Sequence, residues 1–110
     1  MARSPSRRIS DIILSWPGVT GTRGTHGELS FRVGRREIGH LHGDVAAHFK
    51  FPRQVWFALR KQGRIEPHPV FSDTVGPAAR RIEHENDVRA VIDLFRLNYE
   101  RLMTLAGARP

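Results

Sequence analysis

Leu29-Ser30-Phe31-Arg32-Val33-Gly34-Arg35-Arg36-Glu37-Ile38-Gly39-His40-Leu41-His42 is the stretch whose reading decides the fold. Leu29, Phe31 and Val33 alternate with Ser30 and Arg32, which predicts a strand over 28–33 with one buried face. Gly34-Arg35 falls where a hairpin turn belongs, and 36–42 reads as the return strand. Successive side chains of a strand point to opposite faces. His40 and His42 are therefore expected on one face together with Ile38, with Cα atoms about 6.5 Å apart at about 3.3 Å per residue. Glu37, Gly39 and Leu41 are expected on the other.

Upstream, residues 1–4 read as a flexible tail. Ser4-Pro5 suits an N-cap followed by proline at the first helical position. Ile9, Ile12, Ile13 and Trp16 recur at helical spacing, and Pro17-Gly18 stops the run. Gly18 to Gly27 holds four glycines but no Lys-Ser/Thr ending of a phosphate loop, so it reads as a connector. Downstream, Val45, Ala47 and Phe49 alternate as a third strand or an edge segment. Pro52 is expected to open a second helix with Val55, Trp56 and Leu59 inward, closed by Gly63 at C′. Pro67 and Pro69 limit 65–70 to an edge strand or extended loop. Residues 78–82 read as a last short strand.

The strongest periodicity is at the end of the chain. Val88, Val91, Ile92, Phe95, Tyr99, Leu102, Met103 and Ala106 form one helical stripe, and Gly107 ends it. Glu85–Ala106 would be roughly 33 Å long at 1.5 Å per residue, enough to cross a small sheet. Helix, strands, helix, strands, helix argues for an α+β fold: a small antiparallel sheet with helices on one face, organised as one domain over 5–107.

Composition narrows the function. The chain has 110 residues, 39% of them hydrophobic and 26% charged, the balance of a folded protein. There is no cysteine, which excludes disulfides, thiolate metal sites and cysteine nucleophiles and fits a cytoplasmic location. No apolar run reaches the ~18 residues of a membrane span. The net charge of +7 comes from 16 Arg and 2 Lys. Such a balance suits nucleic acid or an anionic ligand, so a basic nucleic-acid- or protein-binding module is the alternative to a small-molecule site. The basic residues are scattered, with no aromatic stacking platform among them.

The chemistry concentrates at His40-x-His42. Neutral imidazole is the commonest metal ligand, and alternate strand positions reach one ion. A third ligand would have to come from His26, His68 or Asp44. Gly34 stands where a cupin metal motif opens, but Ala46 and Ala47 occupy the place of its glutamate. Glu37 is out of phase with the histidines and suited to pairing with Arg32, Arg35 or Arg53. A bulge would re-aim it as a general base. No Gly-x-Ser-x-Gly elbow is present. The site reading assigns His40, His42 and Glu37 to catalysis, and His68, Arg35, Arg53 and Trp56 to ligand binding. Metal and cofactor are left open.

Several segments together resemble a known family. They are Ser15-Trp16-Pro17-Gly18-Val19, the Phe31–Asp44 run with its Glu-x-Gly-His-x-His core, Phe51-Pro52-Arg53, Gly63-Arg64 with Pro67-His68, and Asp87-Val88 with Leu94-Phe95-Arg96-Leu97-Asn98-Tyr99-Glu100-Arg101. The chain is similar to small bacterial proteins of uncharacterised function carrying a "luciferase domain", related to a domain of the fungal bioluminescence luciferase. The resemblance covers about residues 9–105 and implies oxidation of a polyphenol-like pyrone by oxygen. Two departures stand out. Thr74-Val75-Gly76-Pro77 replaces the family's Ser-Gly-Trp, and Thr25-His26-Gly27-Glu28 keeps one glycine of its Arg-Phe-Gly-Gly.

Overall fold

A computed structural model describes residues 3–105. Met1 and Ala2 of the expected tail, and Ala106 and Gly107 at the expected helix end, lie outside the described residues. The elements are α1 (Pro5–Leu14), β1 (Val19–Arg23), β2 (Leu29–Val33), β3 (Arg36–His42), β4 (Ala46–Lys50), α2 (Arg53–Lys61), β5 (Glu66–Pro67), β6 (Pro77–Arg81) and α3 (Glu85–Leu105). The strands form one six-stranded sheet in the order β1-β2-β3-β4-β6-β5, with every neighbour antiparallel. This is the α+β architecture that the periodicities predict.

The local signals act as expected at most ends. The Ser4 hydroxyl accepts a hydrogen bond from the Arg7 N–H and caps α1. Gly34 has φ +61°, the positive angle that a two-residue hairpin turn asks for at its first position, and Val33 pairs with Arg36. α2 begins at Arg53, with Pro52 as its N-cap.

One stretch departs from its reading. Val19–Arg23 is a strand, not a connector. It is an edge strand exposed from Thr20 onward, so it carries no buried alternation. Its backbone ladder to β2 holds it, from Val19↔Val33 to Arg23↔Leu29. Ile12 also falls outside the buried stripe of α1 and is 43% exposed, whereas Ile9 and Ile13 are fully buried.

The core lies between one face of the sheet and the helices α1 and α3. Phe31 of β2 and Phe49 of β4 meet the Phe95 ring of α3 at 5.5 and 4.7 Å between centroids. Ile9, Ile13, Ile38, Leu41, Val91 and Leu94 complete its centre, none more than 1% exposed. Burying a side chain of this size contributes about 1.5–3 kcal/mol. α2 adds Trp56 and Leu59, and the Trp56 indole N–H donates to the Pro77 carbonyl at 2.9 Å. Tyr99 is a core residue whose hydroxyl donates to the Pro17 carbonyl at 2.6 Å, fastening α3 to the end of α1.

Candidate functional site

The pairing of β2 with β3 slips by one residue. Phe31 pairs with Gly39, but Arg32 pairs with Glu37, so Ile38 is the extra residue of a β-bulge. The slip changes which residues share a face. Ile38 turns into the core and is fully buried, in place of the expected side with the histidines. Glu37, opposite Arg32, comes onto the face that carries Ser30 and His40. Its Oε2 lies 2.9 Å from His40 Nδ1. A carboxylate only accepts, so the Nδ1–H donates. This bond is the main reason the Glu37 carboxyl lies below the ordinary glutamate range.

Asn98 of α3 supports the bulge from the core side. It is 1% exposed, and its Nδ2 donates to the Ile38 carbonyl at 2.7 Å. Its Oδ1 accepts from Arg101 Nε at 2.9 Å. A bulge residue falls outside the regular ladder, and here a side-chain amide supplies a partner.

β4 brings a third histidine. His40 pairs directly with His48, while Leu41 pairs with Ala47 on the core face. The His40 and His42 rings lie 4.9 Å apart, His42 and His48 4.2 Å, and His40 and His48 5.3 Å between centroids. One ring nitrogen from each lies within 4.8 Å of the others. His42 Nε2 and His48 Nδ1 are both buried with no hydrogen-bond partner among the described residues. Burial holds the His48 imidazole down to about pKa 4, with the neighbouring histidines adding to it. Burial lowers His42 as well. Near neutral pH both rings are therefore uncharged and have a lone pair to offer.

His68, on the loop after β5, lies against His48 with its ring tilted by 59° and 4.4 Å between centroids. Its Nδ1 accepts from the backbone N–H of Val70 at 3.1 Å and of Phe71 at 3.4 Å. This fixes the tautomer of the neutral ring: the proton sits on Nε2. The same loop presents Phe71, whose ring is 5.2 Å from that of His68. Together Glu37, His40, His48, Lys50, His68, Phe71 and neighbouring atoms of Phe49 and Pro77 line a cleft of about 210 Å³. Across Glu37 and Lys50 it adjoins a groove bordered by Arg36, Phe51, Pro52 and Arg101.

The fold thus brings together four of the residues singled out from sequence: Glu37, His40, His42 and His68. It places the other three elsewhere. Arg35 is exposed in the hairpin turn, and its carbonyl accepts from Arg32. Arg53 starts α2 with its guanidinium over the Phe57 ring, 5.0 Å from the centroid. Trp56 is 8% exposed within the core. None of the three lines the cleft. Of the expected third ligands, His26 is exposed in a turn, and Asp44 accepts from the Ser6 N–H at 2.8 Å in the first turn of α1. His48 is instead the third histidine of the group. Its place between the core residues Ala47 and Phe49 already required an outward side chain, but its pairing with His40 is set by register, which spacing does not encode.

Fold and site define a small α+β domain with a histidine-lined cleft on its sheet. The luciferase domain model matches residues 35–98, more than half of the chain, and the chain belongs to that family. The matched span holds the cleft residues from Glu37 to Pro77 and Asn98 under the bulge. No curated protein and no solved structure matches the chain significantly. No helix among the described residues is long and apolar enough to cross a membrane.

Proposed function

We propose that the protein binds a small organic molecule in the cleft at His40, His48 and His68, and that its chemistry is oxidative. The observation that carries this reading is the convergence of four imidazoles within the family-matched segment. In a folded interior, polar groups without partners are costly and rare. Among the described residues, His42 Nε2 and His48 Nδ1 are two such groups side by side. A site that keeps them unpaired fits an arrangement maintained for a ligand.

His40, His42 and Glu37 are the residues of the chemistry in this reading. Glu37 holds the His40 ring with Nδ1 protonated, so its lone pair stands on Nε2. His68 is the binding donor, with its Nε2–H available to an oxygen of the ligand. Phe71 offers an aromatic face beside it. Lys50 and the adjoining Arg36 and Arg101 favour a ligand with an anionic group, such as an enolate or phenolate. Family membership supports oxidation by dioxygen as the reaction class. The lack of cysteine supports a reducing compartment, and we assign the protein to the cytoplasm.

The test is binding of a polyphenol-like pyrone, followed through histidine ring resonances by NMR. Saturable shifts at His40, His48 and His68, with binding weakened at least tenfold in His68→Ala and the fold retained, are expected. Shifts scattered over the arginine surface and abolished by moderate salt would overturn the reading in favour of electrostatic association.

A further inference from the structure

We infer that His40, His42 and His48 bind one first-row divalent transition metal ion, that Glu37 orients the His40 ligand, and that His68 stays outside the ligand set. Three imidazoles from two paired strands present nitrogens within 4.8 Å of one another. Metal–imidazole bonds of about 2.1 Å place tetrahedral donors about 3.4 Å apart. Ring rotations that move the nitrogens by up to about 1.4 Å close the difference, and among the described residues nothing else ties His42 Nε2 or His48 Nδ1. An all-nitrogen, neutral set suits Zn²⁺, Fe²⁺, Co²⁺ or Ni²⁺ and disfavours the hard cations Mg²⁺ and Ca²⁺.

The tautomers of His40 and His68 divide the four histidines. A ligating imidazole offers a lone pair from one nitrogen and commonly donates its other N–H to a carboxylate. His40 has that arrangement: Nδ1–H to Glu37, lone pair on Nε2. His68 has the reverse. Two backbone N–H groups occupy its Nδ1 lone pair, so its Nε2 carries hydrogen and cannot ligate. It remains a hydrogen-bond donor beside His48. Three protein ligands leave the fourth position of a tetrahedral ion open, the pattern of catalytic rather than structural metal sites.

This inference does not require the small-molecule reading, because metal binding is measured with the ion alone. The experiment is titration of chelator-treated full-length protein with Co²⁺, read by its visible absorption and by calorimetry. One ion per chain is expected, with the intense visible bands of a four- or five-coordinate nitrogen site. His42→Gln and His48→Gln should each lose saturable binding while circular dichroism shows an intact fold. Glu37→Gln should weaken binding 10–100-fold, and His68→Gln should bind within about threefold of the parent. No saturable binding to the parent protein would overturn the inference. So would unchanged binding in folded His48→Gln, or loss of binding in folded His68→Gln. If the glutamine variants unfold, His40→Ala with added imidazole decides: restoration of the visible bands supports ligation, and failure of rescue in folded protein refutes it.

Discussion

Asn98 is the residue through which core packing reaches the site, and Asn98→Ala tests that link. The side chain is 1% exposed and is bonded to the Ile38 carbonyl at 2.7 Å and to Arg101 Nε at 2.9 Å. Truncation orphans the bulge carbonyl, at a cost of about 1–3 kcal/mol. The lost packing and the bond to Arg101 add about 1 kcal/mol, and the better helix propensity of alanine returns about 0.5 kcal/mol. The net expectation is about 1.5–3.5 kcal/mol, a large part of the 5–15 kcal/mol typical of a whole domain. At about 4–8 °C per kcal/mol for a chain of this size, the melting temperature falls by about 6–28 °C. Chemical denaturation with an unchanged m-value checks the free energy. Asn98→Leu restores volume without the amide, so the loss that persists in it is the polar contribution. The same variants should relax the bulge and release Glu37 from His40. In the parent, the ¹⁵N shifts of the His40 ring should report a proton fixed on Nδ1, and in Asn98→Ala they should report tautomer exchange. A destabilisation below about 0.5 kcal/mol, or a His40 tautomer unchanged in the variant, would refute the reasoning that Asn98 holds the bulge.

Three further predictions rest on other contacts. Gly39→Ala would put a Cβ 2.8 Å from Phe49 Cδ1, 2.9 Å from Phe95 Cε1 and 3.0 Å from the backbone oxygen of His48. It should cost about 1–3 kcal/mol and weaken Co²⁺ binding, because the strand that carries His48 must move; unchanged melting would count against the close packing. Asp87 accepts from Arg80 and from the N–H groups of Glu83 and His84, and these bonds, the one from Arg80 first, lower its carboxyl from 3.8 to about 2. A depressed carboxylate stabilises the fold above its ordinary pKa and loses that contribution as pH falls through about 2, so Asp87→Asn should flatten the fall in stability between pH 4 and 2. Acid titrations of the two proteins that stay parallel would contradict this. Trp56→Phe removes the N–H donated to Pro77 and should cost about 1 kcal/mol in urea while leaving Co²⁺ affinity unchanged, and a large loss of affinity would place Trp56 in the site after all.

Much of this molecule follows from its sequence. The helical stripe from Val88 to Leu102, the Ser4-Pro5 start of α1, the turn at Gly34 and the hairpin around it depend on residues a few positions apart. Periodicity and turn chemistry report such local relations directly. The pair His40 and His42 was legible for the same reason. Tertiary structure alone decided the rest. β1 is held by its ladder with β2, which leaves no mark on an exposed edge. His48 joins the histidines through the register of β4 against β3. The bulge at Ile38 places Glu37 beside His40, and its carbonyl partner is Asn98, 60 residues further along the chain. Strict alternation puts Glu37 on the wrong face because one extra residue inverts the phase of a strand, and the group that supports that residue comes from a helix at the other end of the molecule.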